Sequence, residues 1–133
     1  MPDADGGIPV SLINTAPAVG IGQPTNGSVF YIYRNRLQGG WSGDTINLVG
    51  TSWDANNSPG TLPDRLVYWT RNGNFFTSGH VWSVNALDLG VGTHTLTFRG
   101  RDDEGLWAVD KSVTIQVKEW VPILVCLPGT ICG

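Results

Sequence analysis

Between Ala18 and Val117 the chain is written in short runs where apolar and polar residues alternate, broken by clusters of Gly, Pro, Asn and Asp. A period of two places successive side chains on opposite faces of a strand. In Asp44–Trp53, Ile46 and Leu48 share one face while Thr45, Asn47 and Thr51 take the other. Arg65–Arg71 turns Val67 and Trp69 toward a core and ends in Asn72-Gly73, the pair that best fits a two-residue hairpin turn. Phe75-Phe76 and His80–Val84 form the next hairpin arm. Thr93–Arg99 alternates strictly, with Leu96 and Phe98 inward and Thr95, Thr97 and Arg99 outward. The last run, Trp107–Val117, places Val109, Val113, Ile115 and Val117 inward. The first run is split by the turn cluster Gln23–Gly27 into Val19–Ile21 and Ser28–Tyr33, and a Gly-rich link at Gln38–Gly43 follows. No window repeats apolar residues at i, i+3, i+4 and i+7, so helices are not expected. The pattern predicts an all-β domain with turns at the spacing of a sandwich.

The ends follow a different rule. Residues 1–16 have no sustained period and carry a small apolar patch that includes Ile8, Val10 and Leu12. Residues 119–133 bring Trp120, Val121, Ile123, Leu124, Val125, Leu127 and Ile131 past a domain, residues 17–118, that is already complete. An apolar tail left free is an aggregation liability, so it needs a surface: its own sheet, a symmetry mate or another protein. Cys126 and Cys132 flank Pro128-Gly129-Thr130, a reverse turn that would set them opposite each other. A cross-strand disulfide and a pair of reduced thiols are both consistent with that spacing. Two cysteines are too few for a zinc site.

Composition narrows the role. The 133 residues suit one domain able to bury its own core. Only 14% are charged against about 25% in an ordinary soluble domain, and the net charge is -3. Neither number gives nucleic acid or an anionic membrane a reason to bind. The N-terminal stretch lacks a basic region followed by an apolar run, so no signal peptide is expected, and no segment approaches a membrane span. That leaves a protein kept in the cytoplasm, a fragment, or a virion protein that reaches the outside by assembly.

Taken in order, the runs resemble Ig-like domains of the bacterial, phage and PKD/cadherin-like kind. The pattern is I-x-L-x-G-x-S-x-D at Ile46–Asp54, V-x-W-x-x-x-G at Val67–Gly73, and L-x-x-G-x-H-x-L-x-F at Leu89–Phe98. D-x-x-G at Asp102–Gly105 and V-x-I-x-V at Val113–Val117 complete it. The resemblance implies a single Ig-like Greek-key β-sandwich of about seven strands with extended N- and C-terminal arms. Trp69 would be the core Trp of its third strand, packed among Leu48, Leu96, Phe98, Val113 and Ile115. The strands that antibody domains cross-link carry no cysteine, so packing alone must hold the sheets. The stretch Arg34–Gly43 is an unusual insertion.

Candidate chemistry is sparse. His80 and His94 have no Ser, Cys or carboxylate at motif spacing, so no catalytic set can be named and an enzyme is not expected. His94 reads as a ring that fills a sheet corner. Asp54, Asp64, Asp102 and Asp103 lie on loops that could meet at one end, which makes them a candidate Ca²⁺ site. The alternative is that each Asp closes its own turn. The Trp residues exceed what one core holds, so Trp41, Trp53 or Trp82 could stack on sugars or contact protein; otherwise they cover the sheet faces.

Two functions remain. One is a non-enzymatic structural or interaction protein, without cofactor, docked by both arms on a larger assembly with the far loops displayed. Its partners would be capsid or tail subunits or symmetry mates, and its place a virion surface. The other is a secreted adhesin or carbohydrate-binding accessory module, extracellular and reaching host-surface glycans.

Overall fold

The computed structural model describes residues 15–35, 39–55 and 60–120. Among these, nine strands and two short helical turns follow in order: β1 (Ala18–Gln23), β2 (Val29–Asn35), β3 (Gly40–Gly43), β4 (Thr45–Trp53), a 3-10 turn (Asp64–Leu66), β5 (Val67–Arg71), β6 (Asn74–Ser78), β7 (Val81–Asn85), α1 (Ala86–Leu89), β8 (Gly92–Gly100) and β9 (Lys111–Glu119). They form two sheets, one ordered β1-β4-β7 and the other β3-β2-β9-β8-β5-β6. Hairpins join β2–β3, β5–β6 and β8–β9, and the remaining connections pass from one sheet to the other. This is an all-β Greek-key sandwich.

The alternation in the sequence is what closes the core. Ile46 and Leu48 of β4 are fully buried, as are Leu96 and Phe98 of β8 and Ile115 of β9. Trp69 of β5 is also fully buried, and its ring lies 4.8 Å from that of Phe98. Val113 and Val117 complete the row on β9. Truncating Trp69 or Phe98 to Ala would cost roughly 3–5 kcal/mol, the lost transfer energy plus the cavity. Among the described residues the buried hydrophobic positions run from Val19 to Val117.

Nine strands replace the expected seven because the split first run and the Gly-rich link each form a strand. β1 stays in the small sheet. After the turn Ser28 bonds back to Thr25 and β2 crosses to run parallel to β9, Val29 opposite Gln116 through Ile32 opposite Glu119. β3 then folds back on β2, with Tyr33 opposite Ser42.

Three other expectations are corrected. Phe75-Phe76 and His80–Val84 do not pair: β6 joins β5, while β7 joins β4 in the opposite sheet. Val109 is 78% exposed, because β9 begins only at Lys111. Ahead of it, Ala108 turns inward and its N–H bonds to Gly100 O at 2.9 Å. Finally, α1 is a true helical turn, capped by the Asn85 side chain accepting from Leu87 N. Four residues are too few to print a helical period.

The chain enters and leaves this sandwich at opposite ends. Ala18 pairs with Trp53, and a Cβ on Gly100 would press on Val19, so β1 starts at the Gly100 end of β8. Val117 pairs with Gly92, so β9 finishes at the other end.

Candidate functional site

The end where β1 enters carries the polar loops. Asp64 opens a short 3-10 turn, Asp64–Leu66, and its Oδ1 accepts from both the backbone N and the ring Nδ1 of His80, at 3.1 and 2.5 Å. The opposite ring nitrogen, Nε2, lies 2.7 Å from Ser52 Oγ, and that oxygen also accepts from Leu62 N at 3.0 Å. A carboxylate only accepts, so Nδ1 carries a proton, and in the neutral ring Nε2 accepts from the Ser52 hydroxyl. The three residues lie 12 and 16 positions apart along the chain, which is why no motif announced them.

This order of groups is Ser, His, Asp, but its bonds are those of a clamp. One lone pair of Ser52 is already engaged by an amide, and the three side chains tie the end of β4 to the 3-10 turn and the β6–β7 corner. The bond from His80 holds the Asp64 carboxyl below its ordinary pKa, with backbone bonding adding to that and burial opposing it.

The four loop aspartates do not converge. Asp54 is buried, and its N–H bonds to Gly60 O. Asp64 is engaged by His80, and Asp103 pairs with Arg65 at 2.8 Å. Asp102 is buried and accepts from Glu104 N and Leu106 N, closing its own turn. Among the described residues no three His, Cys, Asp or Glu side chains come together in a set that could hold a metal ion. At the other end, His94 is buried with Nε2 2.8 Å from Gly90 O and Nδ1 facing Arg71.

The three tryptophans singled out for stacking are scattered. Trp41 stands on β3 beside Arg34, 6.0 Å from its ring centroid. Trp53 lies over Gly60, whose φ of 107° and missing Cβ admit the indole. Trp82 meets Phe76 edge to face at 5.2 Å, sealing the rim between β6 and β7. The structure instead gathers Tyr68, Phe75, Trp107 and Arg99 on the outer face of the large sheet. Tyr68 lies 5.9 Å from Phe75 and 6.2 Å from Trp107, centroid to centroid. Arg99 lies 4.6 Å from the Trp107 ring centroid and donates to Tyr68 Oη at 2.6 Å and to Asp110 at 3.0 Å. That bonding and ion pairing hold the Arg99 pKa above its ordinary value, the bond to Asp110 being the largest cause. Arg99 was expected to face outward, and it does.

With both sheets and this face in view, comparison with solved structures decides the fold. The chain is an Ig-like β-sandwich. It is similar to the fibronectin(III)-like modules of Clostridium thermocellum CbhA, with a TM-score of 0.56 and 21% identity over 80% of this chain and 48% of that one. It thus spans about half the length of the chain it matches. No family profile and no curated protein matches it.

Of the expected docking residues, Trp120 is described: it is 53% exposed, and its N–H bonds to Ile32 O at 2.8 Å, continuing the β2–β9 ladder by one residue. Ile8, Val10, Leu12, Val121, Ile123, Leu124, Val125, Leu127, Ile131, Cys126 and Cys132 lie outside the described residues. No helix among the described residues is long and apolar enough to cross a membrane.

Proposed function

We propose that this chain is a non-enzymatic interaction module of the bacterial and phage PKD/cadherin-like kind, docked through its terminal arms on a larger assembly. The place that best fits is a virion surface, as a capsid decoration or tail accessory subunit. What supports this reading is that, among the described residues, the buried hydrophobic core runs from Val19 to Val117 across both sheets. The apolar sequence Val121–Leu127, which follows this core along the chain, would serve as the attachment segment. Because β1 begins and β9 ends at opposite poles, the two arms would grip two separate neighbours or bridge across one, rather than share a single footing.

Deleting residues 121–133 tests this in cells that make the assembly. On a density gradient the full chain travels with the particle, and the shortened chain stays with free protein while keeping its native circular dichroism. Normal incorporation of the shortened chain overturns the reading. The second reading, an accessory module of a longer extracellular protein, draws support from the likeness to modules that occupy part of a longer chain.

A further inference from the structure

Neither sheet closes on itself, so among the described residues four strands stand at open edges: β1 and β7 in the small sheet, β3 and β6 in the large one. An open edge is a row of unpaired N–H and C=O groups, and folded proteins blunt it with bulges, short strands, charge or proline. Gly22 is an extra residue in the β1–β4 pairing and Phe76 an extra one in the β5–β6 pairing, so β1 and β6 are bulged. β3 has only four residues, with glycine at each end. β7 carries none of these devices. It keeps regular register with β4 from Val81 to Asn85, and no Asp, Glu, Lys or Arg occurs between Asn74 and Asn85.

The ladder shows which groups of β7 are unused. His80 O accepts from Gly50 N and Asp44 O accepts from Ala86 N, and bonded pairs alternate with non-bonded ones in an antiparallel ladder. Trp82 and Val84 therefore bond to β4, while Val81 and Ser83 turn N–H and C=O to the open side. Beside those groups Val81 is 67% exposed on the outer face, and Trp82 is 40% exposed on the inner one. Such an edge recognises an extended peptide segment, and it offers that segment apolar contact on both faces.

The sequence holds a segment that matches. Pro122 and Pro128 lack the N–H that a ladder needs. Between them lie Ile123-Leu124-Val125-Cys126-Leu127, five residues, the length of β7, and apolar at every position. Residues 121–133 carry no charge, like the edge. The β7 of the same chain is a poor acceptor. Trp120 N–H bonds to Ile32 O in line with β9, and β7 ends at that same pole, where Asn85 Nδ2 donates to Gly43 O opposite Ile32. To lie on its own β7 the chain would have to reverse and also cross to the other sheet. Trp120 to Ile123 spans at most ~11 Å, and the step between packed sheets alone takes about 10 Å.

We propose that Ile123–Leu127 of one copy adds as a strand to the open edge of β7 in the next copy, a head-to-tail contact. This rests on the reading of the C-terminal arm as an attachment segment, and names the surface that receives it. Donor and acceptor are different parts of the chain, so each copy gives one strand and takes one. Contacts of that kind build rings or filaments.

Sedimentation velocity of the full chain tests this, in a reducing buffer so that Cys126 and Cys132 link no copies. The native chain should associate as its concentration rises. Ser83→Pro removes an N–H that β4 does not use and should weaken association at least about tenfold, as should Val125→Pro on the donor segment. Ser83→Ala loses only the Oγ bond to Asn47 and should leave association unchanged. Val81→Lys places a charge in the seam from an exposed position, should weaken association to a like extent, and serves where circular dichroism shows that Ser83→Pro unfolds the chain. Neither Ser83→Pro nor Val125→Pro should associate alone. Mixed, they should form a dimer and nothing larger, because one keeps the segment and the other keeps the edge. A full chain that stays monomeric, association indifferent to Ser83→Pro and Val81→Lys, or a mixture that forms no dimer overturns the proposal. If deleting residues 121–133 releases the chain from its particle while the native chain never self-associates, the arm docks on a different protein. This contact then falls, and the reading of the arm stands.

Discussion

Gly50 lies directly under the ring of Phe98: a Cβ at that position of β4 would overlap the phenyl atoms contributed by the facing sheet. The ring from the facing sheet thus takes the space that a side chain at this position of β4 would need. Gly50→Ala should destabilise the domain by about 1–3 kcal/mol, the usual cost of forcing atoms into a filled core. Urea unfolding monitored by tryptophan fluorescence measures it. A neutral substitution would show that the sheets are further apart than described.

The clamp of Ser52, His80 and Asp64 should make part of the stability depend on acid pH. Bonding to His80 lowers the Asp64 pKa in the folded chain relative to the unfolded one. A depressed carboxyl contributes stability above its unfolded pKa, and the contribution fades as pH falls through the folded value. The gap in melting temperature between the native chain and Asp64→Ala should therefore be constant from neutral pH down to about 4 and close below it. The carboxylate is largely exposed, so the gap should be small and shrink in salt. A gap that widens in acid would contradict the clamp.

At the β5–β6 turn, Asn72 has φ of 50° and Gly73 φ of 85°, and the Asn72 side chain accepts from Thr95 N at 2.8 Å. Asn72→Ala loses that bond and strains a left-handed position, for a combined cost of about 1–3 kcal/mol. Asn72→Gly loses only the bond. Thermal melts should rank native above Asn72→Gly above Asn72→Ala, and the reverse order of the two variants would reject this account of the turn.

The alternation along β4, β5, β8 and β9 made most of the core readable before any coordinates, because one buried face leaves a period of two in the sequence. Asn72-Gly73 was equally legible, since few residue pairs accept its backbone angles. What escaped notice has physical causes. β2 crosses between sheets within one run, and hydropathy does not record which partner a strand chooses. Val109 shared the parity of Val113 and Ile115 but stands on a loop, where parity lapses. Ser52, Asp64 and His80 are brought together only by the packing of three separate elements.

The parity break itself can be measured. Val109→Asp should change stability by no more than about 0.5 kcal/mol, as expected of an exposed position. Val113→Asp, four residues on and buried, should unfold the domain by placing an unpaired charge in the core. If Val109→Asp proves as damaging as Val113→Asp, β9 starts earlier than Lys111.

Native mass spectrometry on the full chain and on a chain ending at Trp120 asks most directly whether the sandwich is self-sufficient and the C-terminal arm is for attachment. The account predicts a folded, cooperative monomer for the shortened chain, and higher-order species or a captured partner for the full one. A shortened chain that fails to fold, or a full chain that stays strictly monomeric beside its assembly, would contradict it.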